Sequence, residues 1–157
     1  MLVNKVALGV LWWLFYSMES FMPTSPQSAF DSVLKSITSE NIVLNPPGNS
    51  YEVECVLGSP VQGFEVGDRI TGTVHAKALR VHKASGGGAF IEPVVGEPRI
   101  VAGRVLANNS DGAVLIRSAI PMLVELSDES DRDTCVPGEF VNFHVASGVV
   151  FSPSDRS

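Results

Sequence analysis

Apolar and polar residues alternate along most of the chain beyond Tyr51, and a period of two predicts strands. Tyr51, Val53, Cys55 and Leu57 alternate with Glu52, Glu54 and Val56, which turns Cys55 inward. In "DRITGTVHAKALRVHK", Ile70, Gly72, Val74, Ala76 and Ala78 hold one face and Thr71, Thr73, His75 and Lys77 the other. The phase then slips, with Leu79 and Val81 apolar and Arg80 and His82 polar. A one-residue slip without loss of strand character predicts a β-bulge, placed at Ala78–Leu79. It gathers His75, Lys77, Arg80 and His82 on one outer face. Further strands are expected at Ala89–Glu92, Arg99–Leu106, Ala113–Arg117, Met122–Leu126 and Val141–Val145, about seven in all, with "NNSDG" as a hairpin loop.

Only one segment carries a helical period. Phe30, Val33, Leu34 and Ile37 fall at i, i+3, i+4 and i+7, with Ser28 placed as N-cap, so a short amphipathic helix is expected there. "NPPGNS" breaks the chain after it. The expected organisation is an apolar leader (1–22), a linker with the short helix (23–50), one β-barrel domain (51–151) and a disordered tail (152–157). Three Gly–acid pairs, Gly67-Asp68, Gly96-Glu97 and Gly138-Glu139, each precede a strand and read as repeated turn chemistry.

The leader's apolar run, Val6 to Tyr16, would span about 16 Å as a helix, short of the ~30 Å hydrocarbon core. No integral membrane span is expected. An over-extended start, a signal peptide behind Lys5 and a membrane-surface or packing segment all fit. The protein is expected to be cytoplasmic, or exported if the leader is a signal.

Composition supports one globular β domain: 157 residues, 45% hydrophobic and 18% charged, with 14 Gly and 10 Pro. A net charge of −6 argues against a polyanion binder as a whole, but the charge is unevenly spread. Arg69, Lys77, Arg80, Lys83, Arg99 and Arg104 dominate the middle of the chain, while "SDESDRD" opens an acidic segment.

The segments "VGDRITGTV" and "GGGAFIEP" resemble the first two strands of S1-type OB-fold RNA-binding domains, and "VPGEFVNFHV" resembles a later strand of that fold. The spacing of "EPxxGxPRxVxGxV" is also similar to a pattern in small bacterial proteins, which implies no function. The OB resemblance implies an all-β, OB-like or Greek-key barrel of six to seven strands that binds single-stranded nucleic acid. On this reading the ligand-binding residues are Thr73, His75, Lys77, Arg80, His82, Phe90, Arg99 and Arg104. The alternative is a self-assembling or protein-binding β-module that sets its basic strand face against the acidic loop.

Catalysis is not expected. The glycine run Gly86–Gly88 follows Lys83 and leads into a strand, the reverse of a phosphate-binding P-loop, and reads as a turn. No G-x-S-x-G elbow is present, and no sequence feature ties Cys55 or Cys135 to a histidine. Those two cysteines are read as buried thiols, or as a disulfide if the protein is exported. His75 and His82 stand about 20 Å apart along one strand, too far to share an ion, so neither metal nor cofactor is expected.

Overall fold

The computed structural model describes residues 27–109 and 112–154. The leader 1–22 and part of "NNSDG" lie outside them. The described chain is mostly β: one mixed sheet of 11 strands, with a 3-10 helix, Glu129–Thr134, as the only helical element among the described residues. The strands are β1 (Phe30–Ile37), β2 (Asn41–Asn45), β3 (Glu52–Leu57), β4 (Arg69–Lys83), β5 (Phe90–Glu92) and β6 (Val95–Gly96). They continue as β7 (Ile100–Asn108), β8 (Val114–Arg117), β9 (Pro121–Leu126), β10 (Phe140–Val145) and β11 (Val150–Pro153).

The seven strands expected from alternation are present. Four more were missed, and the largest correction is β1, where the helix was expected. Ser32 is only 1% exposed and faces inward with Leu34, so the true alternation was hidden behind a polar residue. A bulge between Leu34 and Ser36 then puts Lys35 and Ser36 outside before Ile37 packs against the core. That gap of three between apolar residues imitates a helical period. The sheet therefore starts at Phe30, ahead of Tyr51, and β1 and β2 replace the expected linker. It also runs past the expected end, since Ser152 and Pro153 pair with Thr73 and Gly72.

The sheet order is β1-β2-β3-β11-β4-β10-β7-β8-β9, and both ends come back to β4 through β1–β4 and β4–β9 pairing. β4 is thus flanked by β1 and then β9 on one side, and by β11 and then β10 on the other. Two cycles of five strands share it: β1-β2-β3-β11-β4 and β4-β10-β7-β8-β9. β5 lies on β7 rather than on β4, so "VGDRITGTV" and "GGGAFIEP" are not neighbouring strands. The inward residues of both cycles, from Leu34, Ile42 and Val53 to Val114, Met122 and Phe143, form one hydrophobic cluster.

Sharing β4 requires close backbone approach at Gly72, which pairs with Phe30 on one side and Pro153 on the other. A Cβ there would lie 2.4 Å from the Phe151 ring and 2.5 Å from the Ser152 carbonyl oxygen. Replacing Gly72→Ala should cost about 2–3 kcal/mol by overpacking. Urea unfolding measures this, and an unchanged midpoint would contradict the tight crossing.

Candidate functional site

β4 keeps Ile70, Gly72, Val74, Ala76 and Ala78 buried, then places both Leu79 and Arg80 outside before Val81 returns to the core. On β10, Phe143 faces Val81 and Val145 faces Ala78, so three residue steps on β4 match two on its partner. The expected bulge is there, but Leu79 is 48% exposed instead of inward. Two successive outward residues, Leu79 and Arg80, return Val81 to the inward phase.

The Val81 N–H is taken by a side chain: it donates to Asp131 Oδ2 at 3.1 Å. Asp131 is 6% exposed, and Arg80 Nε lies 3.9 Å from the same oxygen. The acidic run that holds it is folded rather than loose. Asp128 Oδ1 accepts from the Ser130 hydroxyl at 2.7 Å and from the Ser130 N–H at 3.0 Å, capping the 3-10 helix, and the hydroxyl bond followed by the N–H bond holds its carboxyl below the usual range. Arg132 Nε donates to Glu129 Oε1 at 2.5 Å and Nη1 donates to Asn108 Oδ1 at 2.8 Å. Asn108 Nδ2 in turn donates to the Cys135 carbonyl at 2.8 Å. "SDESDRD" thus caps the β4 bulge within its own chain.

The eight residues expected to form one basic face divide into two neighbourhoods. Thr73 is half-buried opposite Ser152; His75 stands between Leu123 and Val150; Lys77 is opposite Glu125. His75 and Lys77 line a groove of about 560 Å³ with Leu123, Glu125, Glu129 and Arg132, where opposite charges offset each other. Arg80 is engaged by Asp131. On the other side, register builds a continuous row across four strands: His82 of β4, Asn142 of β10, Ala102 of β7 and Phe90 of β5. Phe90 is 36% exposed.

A second row runs beside the first: Phe140 of β10, Arg104 of β7 and Arg117 of β8 stand directly opposite one another. The Arg104 guanidinium carbon lies 4.9 Å from the Phe140 ring centroid, a cation–π contact. Neither Arg104 nor Arg117 has an ion-pair partner among the described residues, whereas nearby Lys83 reaches Glu139 at 3.6 Å. Arg99 lies off the rows, in a small depression with Glu92, Pro93 and Ile100. Sequence reasoning missed Phe140 and Arg117. Phe140 was detectable, because it alternates outward with Asn142 while Val141 and Phe143 point in.

The glycine run offers no cradle. Of Gly86–Gly88 only Gly87 has a positive φ, and a Cβ on any of the three would meet nothing within 4 Å. Both cysteines are free and buried. Burial, with Glu97 and Glu54 adding repulsion, pushes the Cys55 thiol up to about 12. Burial and then Asp131 raise Cys135, with Arg132 opposing. Among the described residues no three His, Cys, Asp or Glu side chains are grouped to hold a metal, and no helix is long and apolar enough to cross a membrane.

Asp131→Ala should lose about 1–3 kcal/mol by stranding the buried Val81 N–H, while Asp131→Asn, which keeps an acceptor, should lose less. Chemical denaturation of the two variants checks the order, and equal losses would refute the cap. Cys55 gives a pH signature. The unfolded thiol ionises near 9.0 and the folded one near 12, so unfolding releases a proton between those values. Its contribution is intact below pH 9 and is lost as pH rises toward 12. Unfolding midpoints of the wild type should therefore fall more steeply across that window than those of Cys55→Ala; parallel curves would count against it. Comparison of the chain with protein-family models, curated proteins and solved structures finds no match.

Proposed function

We propose that the protein is a non-catalytic, OB-like binding module that holds single-stranded nucleic acid across the outer face of β5, β7, β8 and β10. The observation that carries this reading is the pair Arg104–Arg117. Like charges directly opposite on neighbouring strands repel, and among the described residues neither guanidinium forms an ion pair, although the carboxylate of Asp31 shares a depression with Arg117. An anion placed between the two guanidinium groups would turn that repulsion into a binding contribution. Phe140, in the same row as the pair, and Phe90, in the adjoining row, offer surfaces on that face on which bases can stack.

The strand order supports the OB-like part. β7, β8 and β9 form a meander, β10 returns beside β7, and a strand parallel to β9 closes the gap between β9 and β10. That is the order of the five-stranded OB barrel, with the C-terminal half of β4 as its fifth strand. The interface is thereby moved from the upstream half of β4, where Lys77 faces Glu125, to the rows of Arg104 and Phe90. Charge complementarity between copies has less support, since Asp131 and Arg132 are already engaged within the chain.

With a net charge of −6 the molecule as a whole repels a polyanion, so contact is short-range and sensitive to salt. Fluorescence anisotropy with short oligo-dT and oligo-U should show affinity falling steeply with salt. Arg104→Ala and Arg117→Ala should each reduce the log–log salt slope by about 0.7. Phe90→Ala should weaken binding by about 1–3 kcal/mol with the slope unchanged. Absence of binding at low salt sinks the reading.

A further inference from the structure

The two cycles that share β4 correspond strand by strand. One shift along the chain carries Val33 onto Arg104, Leu34 onto Val105, Gly67 onto Gly138 and Arg69 onto Phe140. The matches of β2 onto β8 and β3 onto β9 depart from it by only a residue or two, where the connecting turns differ in length. Under it the β1–β4 register (Val33 with Arg69, Ser32 with Ile70) becomes the β7–β10 register (Arg104 with Phe140, Gly103 with Val141). β1 is bulged between Leu34 and Ser36, and β7 is bulged between Val105 and Ala107. Leu34 pairs with Leu44 and Ile37 with Ile42; their counterparts Val105 and Asn108 pair with Ile116 and Val114. The meanders continue alike, Ile42 with Cys55 and Val114 with Val124.

The turns match too. Asp68 N–H donates to Glu65 O and Glu139 N–H to Val136 O, both at 3.0 Å, around positive-φ Gly67 and Gly138. Each turn is bonded in both directions to the last residue before the bulge: Gly67 N–H to Leu34 O and Leu34 N–H to Asp68 O, then Gly138 N–H to Val105 O and Val105 N–H to Glu139 O.

The fifth strands complete the match, but crosswise. β3 runs parallel to β11 with Leu57 opposite Phe151, and β9 runs parallel to β4 with Leu126 opposite Ala78. The next N–H then caps each pair, Gly58 to Phe151 O and Ser127 to Ala78 O. We infer that the chain is a tandem duplication of one five-strand unit whose two copies have exchanged their fifth strands. The first copy's fourth strand continues through β4 to complete the second copy, and the second copy's β10 leads into β11, which completes the first. Two pairings related by the exchange, Val74 with Phe151 and Val145 with Ala78, lie side by side at the crossing.

The inference stands apart from the nucleic-acid reading, although it confines that face to one copy. The counterparts of Arg104, Arg117 and Phe140 are Val33, Asn45 and Arg69, which cannot reproduce it.

The two crossings differ by an insertion. β4 passes from Val74 to Lys77 through His75 and Ala76, whereas the corresponding step from Val145 to Val150 takes Ala146, Ser147, Gly148 and Val149. Deleting Ser147 and Gly148 would set Ala146 and Val149 opposite Lys77 and Ala76. Buried Val149 would stay in phase with buried Val145 and Phe151, so that β10 and β11 become one strand like β4. A second variant, Val66→Pro, copies Pro137 into the equivalent turn position, where proline is favoured. The third Gly–acid pair has no counterpart in this scheme, because Val95 sits in β6. The disruptive control is Glu52→Pro, which removes the N–H that Glu52 donates to Val94 O. The duplication predicts that the shortened full-length chain keeps one cooperative thermal transition and that Val66→Pro melts within a few degrees of wild type, while Glu52→Pro melts well below it. Loss of the cooperative transition in the shortened chain, or a fall in Val66→Pro as large as that in Glu52→Pro, overturns it.

Discussion

The structure depends on one strand being hydrogen-bonded on both sides by four different neighbours. β4 can meet β1, β11, β9 and β10 only because its length is divided between them, and because its inward side chains are small where the partners converge. Gly72 admits Phe151, and Ala76 and Ala78 follow on the same face. Further along, the bulge turns the strand so that β10 can follow it, and the Asp131 carboxylate accepts the Val81 N–H. Because both cycles close on β4, their inward faces merge into one core. A substitution at Gly72 or Asp131 is therefore felt in both halves of the molecule.

The same feature explains what could and could not be read from the chain. Alternation located β3, β4 and β7 to β10, where Val, Ile and Leu recur every second residue, and the glycine turn ahead of it located the short β5. A bulge breaks that rule by leaving two outward residues between inward ones. In β4 the long alternating run before the slip made it recognisable as a bulge. In β1 the run before Lys35 was short and contained buried Ser32, so the spacing looked helical. β2 is only five residues long and is introduced by a Thr38 turn, whose hydroxyl accepts from the Asn41 N–H at 3.0 Å. β6 and β11, rich in Gly and Pro, are strands through long-range pairing with β3 and β4, which no local pattern records.

The candidate site was legible to the same degree. Outward positions such as His82, Phe90 and Arg104 were correctly identified as exposed, because exposure follows from alternation along a single strand. Which of them are neighbours depends on register between strands distant in sequence. That register joined His82 to Phe90 through Asn142 and Ala102, and it left His75 and Lys77 beside the acids of β9 and the 3-10 helix. It also brought in Arg117 and Phe140, each on a strand the sequence located but did not connect to the rest. The repeated Gly–acid pairs were visible as turns; that two of them occupy equivalent places became apparent only from the bonds they make to Leu34 and Val105.

Native-state hydrogen exchange tests most directly the claim that β4 ties two five-strand cycles into one cooperative unit. If it does, amides from Ile70 to Val81 exchange only through global unfolding. Core amides of β2 and β3 on one side and of β8 and β9 on the other then share that same free energy. If the β1–β3 and β11 amides open together at a distinctly lower free energy while β7–β10 stay protected, the cycles are separate units and the account is wrong.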